Sequence, residues 1–237
     1  MLSLAALKEG GKNVVKRKQL LNLNIAGVGC SIVLSEKYGP EFMEILKKRY
    51  SAFSGKETSA KTSLVYKGLP NKYAFDTFVR LAYSSLLLKH NGFLLHASGV
   101  VSRGKGYIFT GISGAGKTTI AEVSKRRGVV LSDEIVAVRK TGKSWKLFGT
   151  PFMGLMKGGG KNKAIKNPKL LFLRQASKNA LKTITIEKAW EKLLRNVILF
   201  KPEKKIAGLS YDFISSVENK ILEFKKTGFW RVLWAIR

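Results

Sequence analysis

Gly111-Ile112-Ser113-Gly114-Ala115-Gly116-Lys117-Thr118 fits G-x-x-x-x-G-K-[ST], the pattern of a loop that wraps phosphate groups. The match gains weight from its flanks. Tyr107 to Thr110 ahead of it reads as a buried strand. Behind it, Ile120 and Val123 fall on one helix face, and Gly128 offers a stop. Strand, glycine-rich loop and helix is the setting this chemistry needs. Successive main-chain N–H groups and the first helical turn surround phosphate oxygens. Gly111, Ser113, Gly114, Ala115 and Gly116 would form that cradle, Lys117 would bring a mobile positive charge, and the Thr118 hydroxyl would reach a magnesium ion. The competing reading is a glycine-rich turn that carries a surface lysine.

Working outward, Phe93 to Leu95 and then Val100 and Val101 read as strands leading into the loop, with His96 beside it. Downstream, VVLSDE ends a strand in Asp133, where an acid that manages Mg²⁺ commonly stands in such proteins. Ile135 to Arg139 and Trp145 to Phe148 suggest a hairpin around Thr141-Gly142. Farther upstream, Leu21 to Leu34 reads as one or two strands, Glu36 to Arg49 as a helix, and Leu64 to Tyr66 as a short strand. Ala74 to Leu88 is a stronger helix, with Phe75, Phe78, Val79, Ala82, Leu86 and Leu87 on one face. Past the loop, GGGKNKAIKN reads as a flexible basic loop, Leu170 to Arg174 as a strand and Ile186 to Leu199 as a helix. Tyr211 to Val217 reads as a helical turn, Lys220 to Phe224 as a strand and Phe229 to Ile236 as a final amphipathic helix. The pattern predicts an α/β class: one P-loop domain over 1–237, a mixed twisted sheet with flanking helices, and a basic N-terminal arm at 1–20.

Charge narrows the partners without naming one. The 237 residues carry 44 Lys and Arg against 15 Asp and Glu, a formal +29. That excess favours acidic partners, whether nucleotide, nucleic acid, anionic lipid or acidic protein, or serves as a solvated lysine surface. No zinc pattern, recognition helix or aromatic RNA-binding signature accompanies it, so nucleic acid is not the expected partner. Cys30 is the lone cysteine, which excludes an intrachain disulfide and fits a reducing cytoplasm. The first nineteen residues lack the apolar run of a secretory signal, and no apolar stretch is long enough to span a bilayer. A cytoplasmic location without an integral membrane segment is expected.

Four strings occur in order: LLHASGV (residues 94–100), GYIFTGISGAGKTT (106–119), LSDE (131–134) and GTPF (149–152). Together they resemble the C-terminal catalytic domain of HPr kinase/phosphorylase, whose nucleotide-binding core is itself similar to that of ATP-dependent phosphoenolpyruvate carboxykinase. The resemblance is clearest from about Leu86 to Gly154. It implies Mg²⁺-assisted phosphoryl transfer from ATP to a hydroxyl, often a serine, in a protein or a modified peptide. His96 stands where the family has a histidine, and Asp133-Glu134 where it has paired aspartates. The resemblance gives Asp133 the task of orienting or deprotonating the acceptor, while Glu134 and Thr118 help position Mg²⁺ and Thr119 adds a phosphate contact. Arg174, at the end of LLFLR, is a weaker candidate for a transition-state cation. The departures are Glu134 in place of aspartate, no evident counterpart of the full enzyme's N-terminal domain, and no phosphorylase signature. They point to a stand-alone kinase-like domain rather than an enzyme acting on HPr. The full enzyme forms hexamers, but no interface motif carries that state over, so a homo-oligomer stays open.

Two other readings compete: a small-molecule hydroxyl kinase, and a nucleotide-gated scaffold without transfer activity. A closed, anion-lined pocket beyond Asp133 would favour a metabolite. An open apolar channel would favour a peptide.

Overall fold

The computed structural model describes residues 19–35, 37–55, 62–152, 154–155 and 160–234. The basic arm expected at 1–20 lies outside them up to residue 18, and Gln19 and Leu20 open the first strand. In chain order the strands are β1 (Gln19–Ile25), β2 (Val28–Leu34), β3 (Ser63–Tyr66), β4 (Gly92–Ser102), β5 (Lys105–Thr110), β6 (Val129–Ser132), β7 (Ile135–Thr141), β8 (Ser144–Phe148), β9 (Ala164–Lys166), β10 (Lys169–Gln175), β11 (Ala180–Lys182), β12 (Val197–Ile198) and β13 (Asn219–Phe224). The helices are α1 (Pro40–Tyr50), α2 (Lys72–Lys89), α3 (Lys117–Ser124), α4 (Ile186–Leu194), α5 (Lys204–Ser216) and α6 (Phe229–Trp234), with a 3₁₀ turn at Ser51–Phe53. The architecture is mixed α/β with two sheets. No helix among the described residues is long and apolar enough to cross a membrane.

The smaller sheet runs β1-β2-β3, an antiparallel hairpin with β3 added in parallel. Strict alternation builds it. Leu21, Leu23 and Ile25 face the core from one strand, and Val28, Cys30, Ile32 and Leu34 from the other. Ala26 and Gly27 turn the hairpin with both φ angles positive, at 56° and 72°, which matches the strand twist. Burial pushes the Cys30 thiol up to about 12, so this cysteine packs as a small apolar side chain.

α1 starts on Pro40, whose missing N–H costs nothing in a first turn. α2 starts on Asn71, whose side chain accepts the Tyr73 N–H at 2.8 Å. Both helices seal the small sheet, and the resulting cluster also takes in Leu94, Ile135, Ala137 and Phe152 from the larger one. Asp76 is buried inside this apolar cluster. Its carboxylate accepts from Arg49 Nε at 2.7 Å, from the second Arg49 donor Nη2, and from the Tyr50 hydroxyl at 2.6 Å.

The larger sheet has the order β11-β13-β10-β5-β4-β7-β8-β9. β4 is its hub. Residues 92–96 pair with β7 and residues 97–102 with β5, while the short strands β12 and β6 also pair with β4. β5, β10 and β13 run parallel to one another, and the hairpin-linked strands run antiparallel. Beneath α3, a separate cluster joins Ala115 and Ile120 to Phe224, Phe229, Trp230 and Leu233, so α6 backs the loop-bearing helix.

Several expectations change. The two strands expected around His96 are one continuous strand, and the helix expected over Ile186 to Leu199 ends at Leu194 before β12. α5 begins at Lys204, well before Tyr211, because Ile206, Ser210, Phe213 and Ile214 form a buried helical face. Part of the segment read as a flexible basic loop is instead ordered at the sheet edge. Ala164–Lys166 is β9, paired with β8, and the Lys161 N–H donates to the Leu131 carbonyl at 3.0 Å.

Removing one member of the buried Asp76 cluster strands the others. Asp76→Ala is expected to lower unfolding free energy by about 3–5 kcal/mol, and Tyr50→Phe by about 1 kcal/mol. Urea denaturation measures both. Equal, small effects would show that the ion pair is not an internal tie.

Candidate functional site

β5 delivers the chain to the loop as a fully packed strand, and the loop follows from the glycines. Gly111 has φ at 154°, and a Cβ there would come within 3.1 Å of the Ala115 Cβ and 3.2 Å of the Leu173 carbonyl oxygen. Gly116, at φ 107°, caps α3 in a left-handed conformation against the Phe224 ring. Ile112, Ser113 and Gly114 form the exposed crown, and Ala115 is buried beneath it. Gln175, at the end of β10, steadies the crown by donating to the Gly114 carbonyl at 2.7 Å.

Lys117 is the first residue of α3, 8% exposed. Its ammonium curls back to donate to the Gly111 and Ile112 carbonyls at 2.8 and 3.0 Å, which sets the charge at the rim of the loop. Burial lowers its proton affinity. Thr118 follows on the exposed side of the first helical turn, and Thr119 is half-buried.

The loop meets the acid through β4. The Ser98 hydroxyl, fully buried, lies 2.9 Å from the Lys117 carbonyl and 3.1 Å from the Asp133 carbonyl. One side chain therefore fixes the start of α3 against the end of β6. The Ala97 N–H donates to the Glu134 carbonyl at 3.0 Å, and the Thr110 hydroxyl to the His96 carbonyl at 3.0 Å. His96, Ala97 and Ser98, three consecutive residues of β4, thus tie the end of β5, the acidic pair and the loop together.

Asp133 is 3% exposed, and its Oδ1 accepts the Gly154 N–H at 2.9 Å. Gly154 approaches so closely that a Cβ would lie 3.2 Å from the other carboxylate oxygen. Pro151 and Phe152 carry the chain to this point. The Phe152 carbonyl accepts from Ser132 Oγ at 2.9 Å. Glu134 points differently: its carboxylate pairs with Arg80 of α2 at 3.2 Å.

Arg80 is the residue that sequence reading missed. Its guanidinium sits 5.4 Å from the centre of the Phe152 ring, and its Nε–H is buried without a hydrogen-bond partner among the described residues. Asp76 and Arg80 are the two charged positions, four apart, in the stretch from Ala74 to Leu88, and that is the signal that could have exposed both. Arg174 lies between Leu173 and Gln175, which both touch the loop, but its guanidinium is engaged by another strand. It pairs with Glu223 at the sheet surface, where Lys182 and then Arg174 hold that carboxyl below its usual range. Arg103, beside the turn before β5, stacks on Trp234 at 3.5 Å.

His96 keeps solvent contact, yet its proton affinity falls below the ordinary 6.5, first through partial desolvation and then through the Lys117 and Arg80 charges. A neutral imidazole beside two cations can accept a hydrogen bond or contact an anion without adding positive charge.

Among the described residues no group of three or more His, Cys, Asp or Glu side chains gathers into a metal cage. The oxygen donors of Thr118, Asp133 and Glu134 instead suit a hard ion that keeps waters and shares phosphate oxygens, which is how Mg²⁺ binds. By donor chemistry alone these oxygens fit Mg²⁺, with the Glu134 carboxylate paired to Arg80.

No protein-family model matches the chain, and no curated protein matches it. Among solved structures it is similar to an Hpr(Ser) kinase/phosphatase from Coxiella burnetii, at 12% identity and a TM-score of 0.32, over 52% of this chain and 88% of that one. The functional reading therefore rests on the loop, on Asp133 and on their junction at Ser98.

The lowered affinity of His96 has a definite sign. Its contribution to stability is fully present above 6.5 and is lost as pH falls toward the lower folded-state value. An NMR titration of the His96 ring, assigned with His96→Gln, should give a midpoint below 6.5. A midpoint at or above that value would contradict the placement of Lys117 and Arg80 around the ring.

Proposed function

We propose that this chain is an ATP- and Mg²⁺-dependent phosphotransferase that moves the γ-phosphoryl group to a hydroxyl of a protein or peptide. The observation that carries this reading is the junction at Ser98, which holds a phosphate-binding loop and a buried carboxylate against one another. The motif resemblance to the HPr kinase/phosphorylase catalytic domain supports the same assignment.

The residues divide the work. Main-chain N–H groups from Gly111 to Thr118 cradle phosphate oxygens, and the Lys117 ammonium exchanges its carbonyl contacts for them. Asp133, oriented by the Gly154 N–H, accepts the proton from the acceptor hydroxyl. The acceptor oxygen forms its bond to the γ-phosphorus while the bond from that phosphorus to the β–γ bridging oxygen breaks, and the electron pair leaves with ADP. His96 and Arg80 add polar and positive surroundings for charge that develops during transfer. Thr118 and Glu134 are the groups that would hold Mg²⁺, which neutralises phosphate charge when bound. Holding Glu134 for that purpose requires Arg80 to yield or share its carboxylate.

The test is transfer of labelled γ-phosphate into candidate proteins and peptides, followed by identification of the acceptor site. Lys117→Ala should lower transfer at least about 100-fold, through weaker nucleotide binding seen with a fluorescent ATP analogue. Normal transfer by this variant would overturn the site. Asp133→Asn should keep nucleotide affinity within a few-fold while kcat drops about 10²–10⁴-fold. Equal loss of binding and transfer would reassign Asp133 to a metal or structural role.

A further inference from the structure

A groove of about 360 Å³ runs between α1, the 3₁₀ turn, the start of α2, and Pro151 and Gly160. Among the described residues its charged lining is Lys48, Arg49 and Lys72, with no carboxylate. Arg49 turns toward Asp76 and is neutralised there. Lys48 and Lys72 are exposed, and they leave the groove positive. Between them lies apolar surface: Ile45 is 49% exposed, and Phe53 is buried beneath.

The groove and the candidate site share one stretch of chain. Pro151 lines it, and three residues later the Gly154 N–H holds Asp133. An extended chain covers at most about 3.6 Å per residue, so that wall ends within about 11 Å of the Asp133 contact. A polypeptide following that wall would need at most about three to four residues to reach the carboxylate.

We propose that this groove receives an acidic segment of the acceptor polypeptide and places its hydroxyl about three to four residues away, at Asp133. The proposal rests on the transferase reading above. Two ammonium groups flanking aliphatic surface suit carboxylates next to an apolar side chain. Nucleic acid fits less well, because base stacking needs an open aromatic face: the lining Phe53 is 1% exposed, and the exposed Tyr73 ring beside the groove carries the Lys72 ammonium 5.0 Å from its centre.

The experiment uses the full chain and a fluorescein-labelled peptide with a Glu-Glu-Leu block about four residues before a single serine, beside its Gln-Gln-Leu counterpart. Fluorescence anisotropy should show at least about tenfold tighter binding of the glutamate peptide at moderate salt. The double substitution Lys48→Glu/Lys72→Glu should abolish that preference, and the milder Lys48→Gln/Lys72→Gln should reduce it. Lys188→Glu/Lys192→Glu, the same charge change at exposed positions of α4, should leave it intact. Equal loss with the α4 pair would overturn the groove in favour of diffuse charge. An oligouridylate that binds more tightly than the peptide, with the same dependence on Lys48 and Lys72, would overturn it in favour of nucleic acid. ATP-analogue binding separates the two proposals. If the groove selects the acidic peptide while nucleotide binding and transfer fail, the transferase reading falls alone; transfer without acidic preference removes the groove alone.

Discussion

A single buried hydroxyl holds the candidate site together. Ser98 reaches two carbonyls that belong to different segments, one at the first residue of α3 and one at the first residue of the bend between β6 and β7. A hydroxyl has one proton, so it serves these acceptors as a shared or alternating donor. Such a bond contributes only about 1 kcal/mol net to folding. Its structural effect is larger than its energy, because a glycine-rich loop and a carboxylate contributed by separate strand ends acquire a fixed separation. The neighbouring residues repeat the device. His96 offers its carbonyl to Thr110, and Ala97 donates its N–H to Glu134. β4 can do this because its partners change from β7 to β5 where these residues lie.

Charge in this chain is distributed unevenly between tie and surface. With 15 acids against 44 bases, most lysines have no acid to meet. Several of the acids that are buried or half-buried sit at junctions: Asp76 joins α1 to α2, Glu134 ties to α2, and Glu218 takes Lys169 at the entry to β10. Exposed pairs such as Glu191 with Arg195 add little, because solvent screens them and side-chain entropy opposes them. Asp133 is oriented differently, by a main-chain N–H from Gly154. A main-chain donor fixes a carboxylate's direction as firmly as the backbone itself is fixed.

The loop was legible because its glycines encode backbone angles directly: Gly111, Gly114 and Gly116 all adopt positive φ. The long apolar faces were legible for a similar reason, since α2 and the β1–β2 hairpin bury the residues their periods mark. The errors have common causes. β4 looked like two strands because His96, Ala97, Ser98 and Gly99 interrupt an apolar run, yet these are the residues that bind the site together. β9, β11 and β12 are two or three residues long, and their pairing comes from neighbouring strands rather than local propensity. α5 was shortened because Gly208 weakens its first turns, which tertiary packing of Ile206 repairs. Arg80 was hidden by distance: it lies 54 residues from its partner Glu134.

That distance also explains why the N-terminal sheet belongs to the site rather than beside it. α2 is positioned by Phe75, Val79, Ala82 and Tyr83 against the small sheet, and the Tyr83 hydroxyl sits 3.2 and 3.1 Å from the Leu23 and Val28 carbonyls. Arg139 of β7 donates to the hairpin turn at Ala26, which couples that sheet to the strand following Glu134. The hairpin therefore sets the height of α2, and α2 sets where Arg80 meets Glu134 and Phe152. A shift of α2 by a fraction of a turn would move a guanidinium out of reach of both, and would leave Glu134 as a half-buried carboxylate without that cation. The packing of the first two strands thus decides the electrostatics around residues that lie more than a hundred positions later in the chain.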